Sequence, residues 1–184
     1  MNQNFDYRNK RVLIVDDQRA FQIMLKTMLL NFGAKDVTHV GSAEDALKLC
    51  RHNTYDLLLV DYNLGSGLNG RQLFEALKVN NLLPIHTVFF LVTGDNSKAI
   101  VLSAIKMTPD DYLMKPFSQN ELNLRIQKAF NKKDALLPIY QRSAYYLRRI
   151  YRGSPTYPST AAIRSSVLSR AKLPTSNTTV IRYH

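Results

Sequence analysis

The chain is short of several things, and each shortage excludes a class of protein. It has one cysteine in 184 residues, Cys50, so no intramolecular disulfide can form. At its position in a helical pattern Cys50 reads as a small buried hydrophobe rather than a reactive thiol. No apolar run approaches the roughly 18–20 residues that cross a bilayer. The first residues, Met1 to Asp6, lack the basic start and apolar core of a signal peptide, so the chain is expected in the cytoplasm. Acid is almost missing from one end. Residues 132–184 carry ten Lys/Arg against one acid, Asp134, a balance of +9. Residues 1–131 carry 15 Lys/Arg against 13 Asp/Glu, a balance of +2. A near-neutral module is therefore followed by a basic tail, and such tails can bind anionic partners or simply be solvated.

What is present is a regular alternation. Five short aliphatic runs read as buried strands: Val12–Val15, Val37–Val40, Leu57–Val60, Val88–Val92 and Tyr112–Met114. The stretches between and after them have helical spacing. Phe21, Met24, Leu25, Met28 and Leu29 mark a first helix, and Ala43, Ala46, Leu47 and Cys50 a second. Leu73, Phe74 and Leu77 mark a third, Ile100, Val101 and Ala104 a fourth, and Leu122, Leu124, Ile126 and Phe130 a fifth. Ser42 with Asp45, and Ser118 with Glu121, have the spacing of helix N-caps. Strand–helix alternation of this kind predicts an α/β fold, a doubly wound parallel sheet with right-handed crossovers. Ligands of such open sheets sit beyond the carboxyl ends of the strands.

The residues at those ends carry chemistry. Asp16 and Asp17 follow the first strand, Asp61 the third, Thr93 and Gly94 the fourth, and Lys115 and Pro116 the fifth. Crowded carboxylates repel unless a cation joins them, and an all-oxygen set suits Mg²⁺. Asp16, Asp17 and Asp61 form that candidate set, with the backbone carbonyl of Asn63 as a further ligand. A carboxylate can act as a phosphoryl acceptor. Asp61 is the candidate nucleophile, with Lys115 to neutralise one phosphoryl oxygen and the Thr93 hydroxyl to meet another. Any one of these acids alone could be an ordinary helix cap, and Lys-Pro alone could mark a turn. The ordered set Asp-Asp, Asp, Thr, Lys on four strand ends carries the inference.

That order, in the segments Arg11–Asp17, Leu57–Leu64, Leu91–Gly94 and Asp111–Phe117, resembles the receiver domain of two-component response regulators. The resemblance covers residues 10–131 and implies a flavodoxin-like (βα)5 sheet of strand order 2-1-3-4-5. It implies phosphorylation of Asp61 by a sensor histidine kinase or a histidine phosphotransfer protein, with Mg²⁺ as cofactor. It further implies metal-binding roles for Asp16 and Asp17, switch roles for Thr93 and Tyr112, a charge role for Lys115, and a cis Lys115–Pro116 bond. Tyr112 taken alone reads as a half-buried strand aromatic. More narrowly, Asp61–Gly65, Pro109–Phe117 and Ala135–Gln141 resemble regulators that continue into tetratricopeptide-type repeats. Beyond Gln141 that likeness stops, because residues 142–184 hold eight Lys/Arg and no acid.

The expected organisation is a short extension over residues 1–9, a receiver over 10–131 and a basic tail over 132–184. The tail is expected to hold a short helix at most and otherwise to be disordered, as its Ser, Thr and Pro content favours. It reads as the product of a frameshift or truncation rather than an evolved output domain. The expected function is a signalling switch acting on an unnamed protein partner, and not an enzyme in the ordinary sense. An aspartate-nucleophile phosphatase would place a second acid two residues after Asp61, where Asn63 stands and cannot protonate a leaving group. A flavin-binding module would need a phosphate loop after the first strand, where Asp16 and Asp17 would repel it. Nucleic acid is not the expected partner, since no helix-turn-helix pattern follows residue 131. DNA binding through the basic tail is the alternative function.

Overall fold

The computed structural model describes residues 5–94 and 108–150, with side-chain surroundings through residue 139. Two compact units are present, Met1–Leu137 and Pro138–His184. The first contains strands β1 (Arg11–Val15), β2 (Asp36–Val40), β3 (Leu57–Asp61), β4 (Val88–Thr93) and β5 (Asp111–Met114). Helices α1 (Arg19–Asn31), α2 (Ala43–His52) and α3 (Gly70–Val79) connect the first four strands. Helix α4 (Gln119–Ile150) follows β5 and runs on past the first unit. All strand pairs are parallel, as the strand–helix alternation predicts, and the sheet order is β2-β1-β3-β4-β5, as the resemblance implies. The helix expected on Ile100, Val101 and Ala104 lies outside the described residues, as does the tail beyond Ile150.

The inner strands β1, β3 and β4 are near-continuous apolar runs, as fits a sheet covered on both faces. Every residue of β3 and of β4 is buried. Successive side chains point to opposite faces. Leu13, Val15, Leu58, Val60, Phe89 and Leu91 therefore meet α2 and α3 residues such as Ala46, Cys50, Leu73 and Leu77. Val12, Ile14, Leu57, Leu59, Phe90 and Val92 meet Leu25, Leu29, Leu122 and Ile126 of α1 and α4. Each fully buried large side chain of this kind contributes about 1.5–3 kcal/mol.

Two helix faces differ from the expected ones. On α1 the buried stripe is Gln22, Leu25 and Leu29, while Met24 is 37% exposed. The expected Phe21, Leu25, Met28 and Leu29 all pack in the core, and Gln22 joins them, its amide Nε2 donating to the Asp16 carbonyl at 2.6 Å, so a polar residue fills a core position with its hydrogen bond made. On α4, Leu122, Ile126, Ala129 and Phe130 are buried and Leu124 points outward. The periodicity placed the end of this helix near residue 131, yet it continues to Ile150 with Pro138 inside it. No glycine or proline interrupts it before Pro138, and Lys132, Lys133, Ala135, Leu136 and Leu137 are good helix formers.

Both expected caps are present. The Ser42 hydroxyl accepts the Asp45 amide, and the Ser118 hydroxyl accepts the Glu121 amide. A third cap went unread in the sequence: Asn69 and Gln72 make a reciprocal capping box at the start of α3.

Candidate functional site

The candidate residues gather at the carboxyl edge of the sheet because each ends or follows a strand. Asp61 and Thr93 are the last residues of β3 and β4, and Asp16 follows β1 directly. The Lys115 amide donates to the Thr93 carbonyl at 2.7 Å, which ties the end of β5 to that of β4. The Lys115–Pro116 peptide bond is cis, as the resemblance implied.

Three of the named side chains are in direct contact. Lys115 Nζ lies 2.7 Å from Asp16 Oδ2 and 3.0 Å from Asp61 Oδ1. Asp16 and Asp61 are 1% and 5% exposed, so this is a buried arrangement in which paired charge is required. Burial pushes the Asp61 carboxyl above the ordinary carboxylate range. The Lys115 hydrogen bond and charge oppose that shift, the Asp16 charge adds to it, and the Asn63 amide opposes it. That amide donates to Asp61 Oδ2 at 3.2 Å.

The remaining candidates stand around this core. Asp17 is exposed, and its Oδ2 faces Gly65 closely enough that an added Cβ there would be 3.2 Å away. Thr93 is fully buried, and Tyr112 packs half-buried against the cluster under α2 and α3. Gly70 is forced by contact, because a Cβ at that position would run into the Asp61 carbonyl. Gln22 and Glu44 were missed in the sequence. Gln22 fixes the backbone of Asp16, and Glu44 Oε1 accepts the Leu68 amide at 3.0 Å, holding the loop after Asp61. A polar residue on the i, i+3, i+7 stripe of α1 was the available signal for Gln22. Glu44 gave none, since an acid in a first helical turn needs no partner to explain it.

The three acids expected to ligate a cation together do not stand as a preformed cluster. Among the described residues no three His, Cys, Asp or Glu side chains are gathered for metal binding. The Lys115 ammonium lies against both buried carboxylates, Asp16 and Asp61. The donor set nevertheless fits a hard divalent cation, because every side-chain donor is a carboxylate oxygen and the charges of Asp16 and Asp61 oppose one another.

An acid–lysine site at the carboxyl edge of a 2-1-3-4-5 sheet defines a flavodoxin-like α/β domain of the CheY kind. Residues 12–127 match the family model described as response regulator receiver domain, and the chain belongs to that family. Receiver domains are signalling modules of two-component systems rather than conventional enzymes. Among curated relatives, the chain is 36% identical over 119 residues to "Transcriptional regulatory protein YvrH" of Bacillus subtilis, covering 65% of this chain and 48% of that one. It is 27% identical over 120 residues to "Probable chemotaxis protein CheY" of Rhizobium etli, covering 65% and 92%. Thus it spans about half the length of the first and nearly all of the second. Among solved structures, the Francisella response regulator 1452 receiver domain is similar at 29% identity and a TM-score of 0.59, with 67% of this chain and 98% of that one covered. Among the described residues, no helix is long and apolar enough to cross a membrane.

Proposed function

We propose that the protein accepts a phosphoryl group on Asp61 from a histidine kinase or histidine phosphotransfer protein in the cytoplasm, and that the change alters its contacts with a protein partner. The observation that carries this reading is the half-buried Lys115 ammonium within 3.0 Å of Asp61 and 2.7 Å of Asp16. In the transfer, an Asp61 carboxylate oxygen bonds to phosphorus as the phosphorus–nitrogen bond of the donor histidine breaks, and the imidazole keeps the electron pair. Lys115 donates to a phosphoryl oxygen and Thr93 to another. Asp16, Asp17, Asp61 and the Asn63 carbonyl are the groups that would hold Mg²⁺, which when bound supplies positive charge to the phosphoryl oxygens. Tyr112 belongs to the switch that follows. Gln22 and Glu44 keep the two loops that carry these groups in place.

The test is intact mass after incubation with Mg²⁺ and a small phosphodonor. The wild type is expected to gain one phosphoryl group and Asp61→Asn none. Equal labelling of both would refute the assignment.

Residues 10–131 are the proposed receiver and residues 132–184 a basic tail, with residues 135–141 resembling the junction to tetratricopeptide-type repeats. Removing residues 142–184 is expected to leave phosphorylation unchanged. A large loss would show that the tail takes part. The MtrA protein of Mycobacterium tuberculosis, 30% identical over 129 residues, is named a DNA-binding response regulator. A corresponding role here would rest on the +9 balance of residues 132–184, and it would be seen as salt-dependent DNA binding that is lost with the tail.

A further inference from the structure

Lys115 has a third neighbour. Its Nζ lies 3.7 Å from the centroid of the Phe21 ring. Phe21 is half-buried in the first turn of α1, and its ring meets Phe117 edge to face at 5.9 Å and 88°. One ring therefore touches both residues that flank Pro116. The Lys115 side chain is only 16% exposed, so most of it is withdrawn from water.

An ammonium has three N–H donors and no acceptor. Two carboxylates stand within salt-bridge distance of it. An oxygen acceptor in place of the ring would fix the cation in one place. An aromatic face attracts it through the ring quadrupole without a directional lone pair. The cation is held close, yet it can still turn an N–H toward an arriving anion. An aliphatic side chain of similar bulk would fill the space and supply no such attraction.

We propose that Phe21 is a positioning residue, whose ring face holds the Lys115 ammonium at the Asp16–Asp61 pair, ready to meet a phosphoryl group on Asp61. The proposal rests on the phosphoacceptor reading above. Phe21 acts through Lys115 and touches no reacting atom.

The experiment uses the full chain and three variants, Phe21→Leu, Phe21→Met and Phe21→Tyr. The two aliphatic variants test the same point should one of them fold poorly. Three quantities are read: the NMR shift of the Lys115 ε-methylene protons, the affinity for Mg²⁺ alone, and the affinity for beryllofluoride in saturating Mg²⁺. Wild type and Phe21→Tyr are expected to show an upfield ring-current shift and similar beryllofluoride affinity. The aliphatic variants are expected to lose the shift and to bind beryllofluoride about two- to thirtyfold more weakly, the range of a partly desolvated cation–π contact. Their Mg²⁺ affinity should be unchanged or tighter, since ammonium and metal compete for the same carboxylates. Unaltered beryllofluoride binding in the aliphatic variants would overturn the proposal. So would a loss in all three variants accompanied by weaker Mg²⁺ binding, which indicates a general packing role. A wild type that shows the ring-current shift but binds no beryllofluoride would overturn the phosphoacceptor reading, while the shift itself would still support the Phe21–Lys115 clamp.

Discussion

Cys50 illustrates how burial sets the behaviour of a single group. It lies on α2 against the sheet, 7% exposed, and burial raises its thiol from 9.0 to about 11. At pH 8 only about one molecule in a thousand then carries the thiolate. Native protein is expected to react far more slowly with a thiol reagent than denatured protein at that pH, and equal rates would contradict the burial. The folded state holds this proton more tightly than the unfolded one. Its contribution to stability is therefore complete below the unfolded pKa near 9 and is lost as pH rises toward 11. Other residues differ in how plainly they could be read. Asp16, Asp61 and Lys115 were legible because each has a chemically specific side chain at a strand end. Phe21 and Gln22 were not, since their roles depend on partners named only by the folded chain, a lysine far along the sequence and a backbone carbonyl.

The strands were the most legible elements. Their aliphatic runs are bounded by polar residues, and only a terminal residue or so differs between pattern and structure, as with Asp61 and Thr93 inside β3 and β4. Helix faces and ends were less legible. A buried polar residue with a partner can join an apolar stripe unannounced, as Gln22 does on α1, and α4 meets no stop signal before Pro138. The start of α3 has particular weight because Gly70, its first residue, presses on the Asp61 carbonyl. Asn69 accepts the Gln72 amide at 2.9 Å, and the Gln72 side chain accepts the Asn69 amide at 2.9 Å. Asn69→Ala is expected to destabilise the protein by about 1 kcal/mol. Urea unfolding should show a lower midpoint with an unchanged slope. A stability equal to wild type would mean that α3 is held by packing alone.

On the scale of the molecule, the sheet separates two cores, one beneath α2 and α3 and the other beneath α1 and α4. This division follows from alternate side chains on buried strands and was implicit in the strand–helix alternation. The order β2-β1-β3-β4-β5 adds a mechanical asymmetry. Asp61 ends β3, which is paired on both sides and wholly buried. Lys115 follows β5, which stands at the sheet's edge and pairs with β4 alone. At its other end β5 is anchored to α4, by Arg125 on Asp111 at 3.1 Å and by Lys133 on Asp110 at 3.0 Å. The two sides of the site therefore differ in compliance, and amide hydrogen exchange is the measurement that resolves it. Amides of Leu58 to Val60 should exchange only through global unfolding, and those of Leu113 and Met114 through cheaper local opening. Equal protection would contradict the asymmetry. On the proposed reading, the phosphoryl group arrives at the end of a wholly buried inner strand, and the displacement that reports it is taken up by the end of an edge strand hinged at its far anchor.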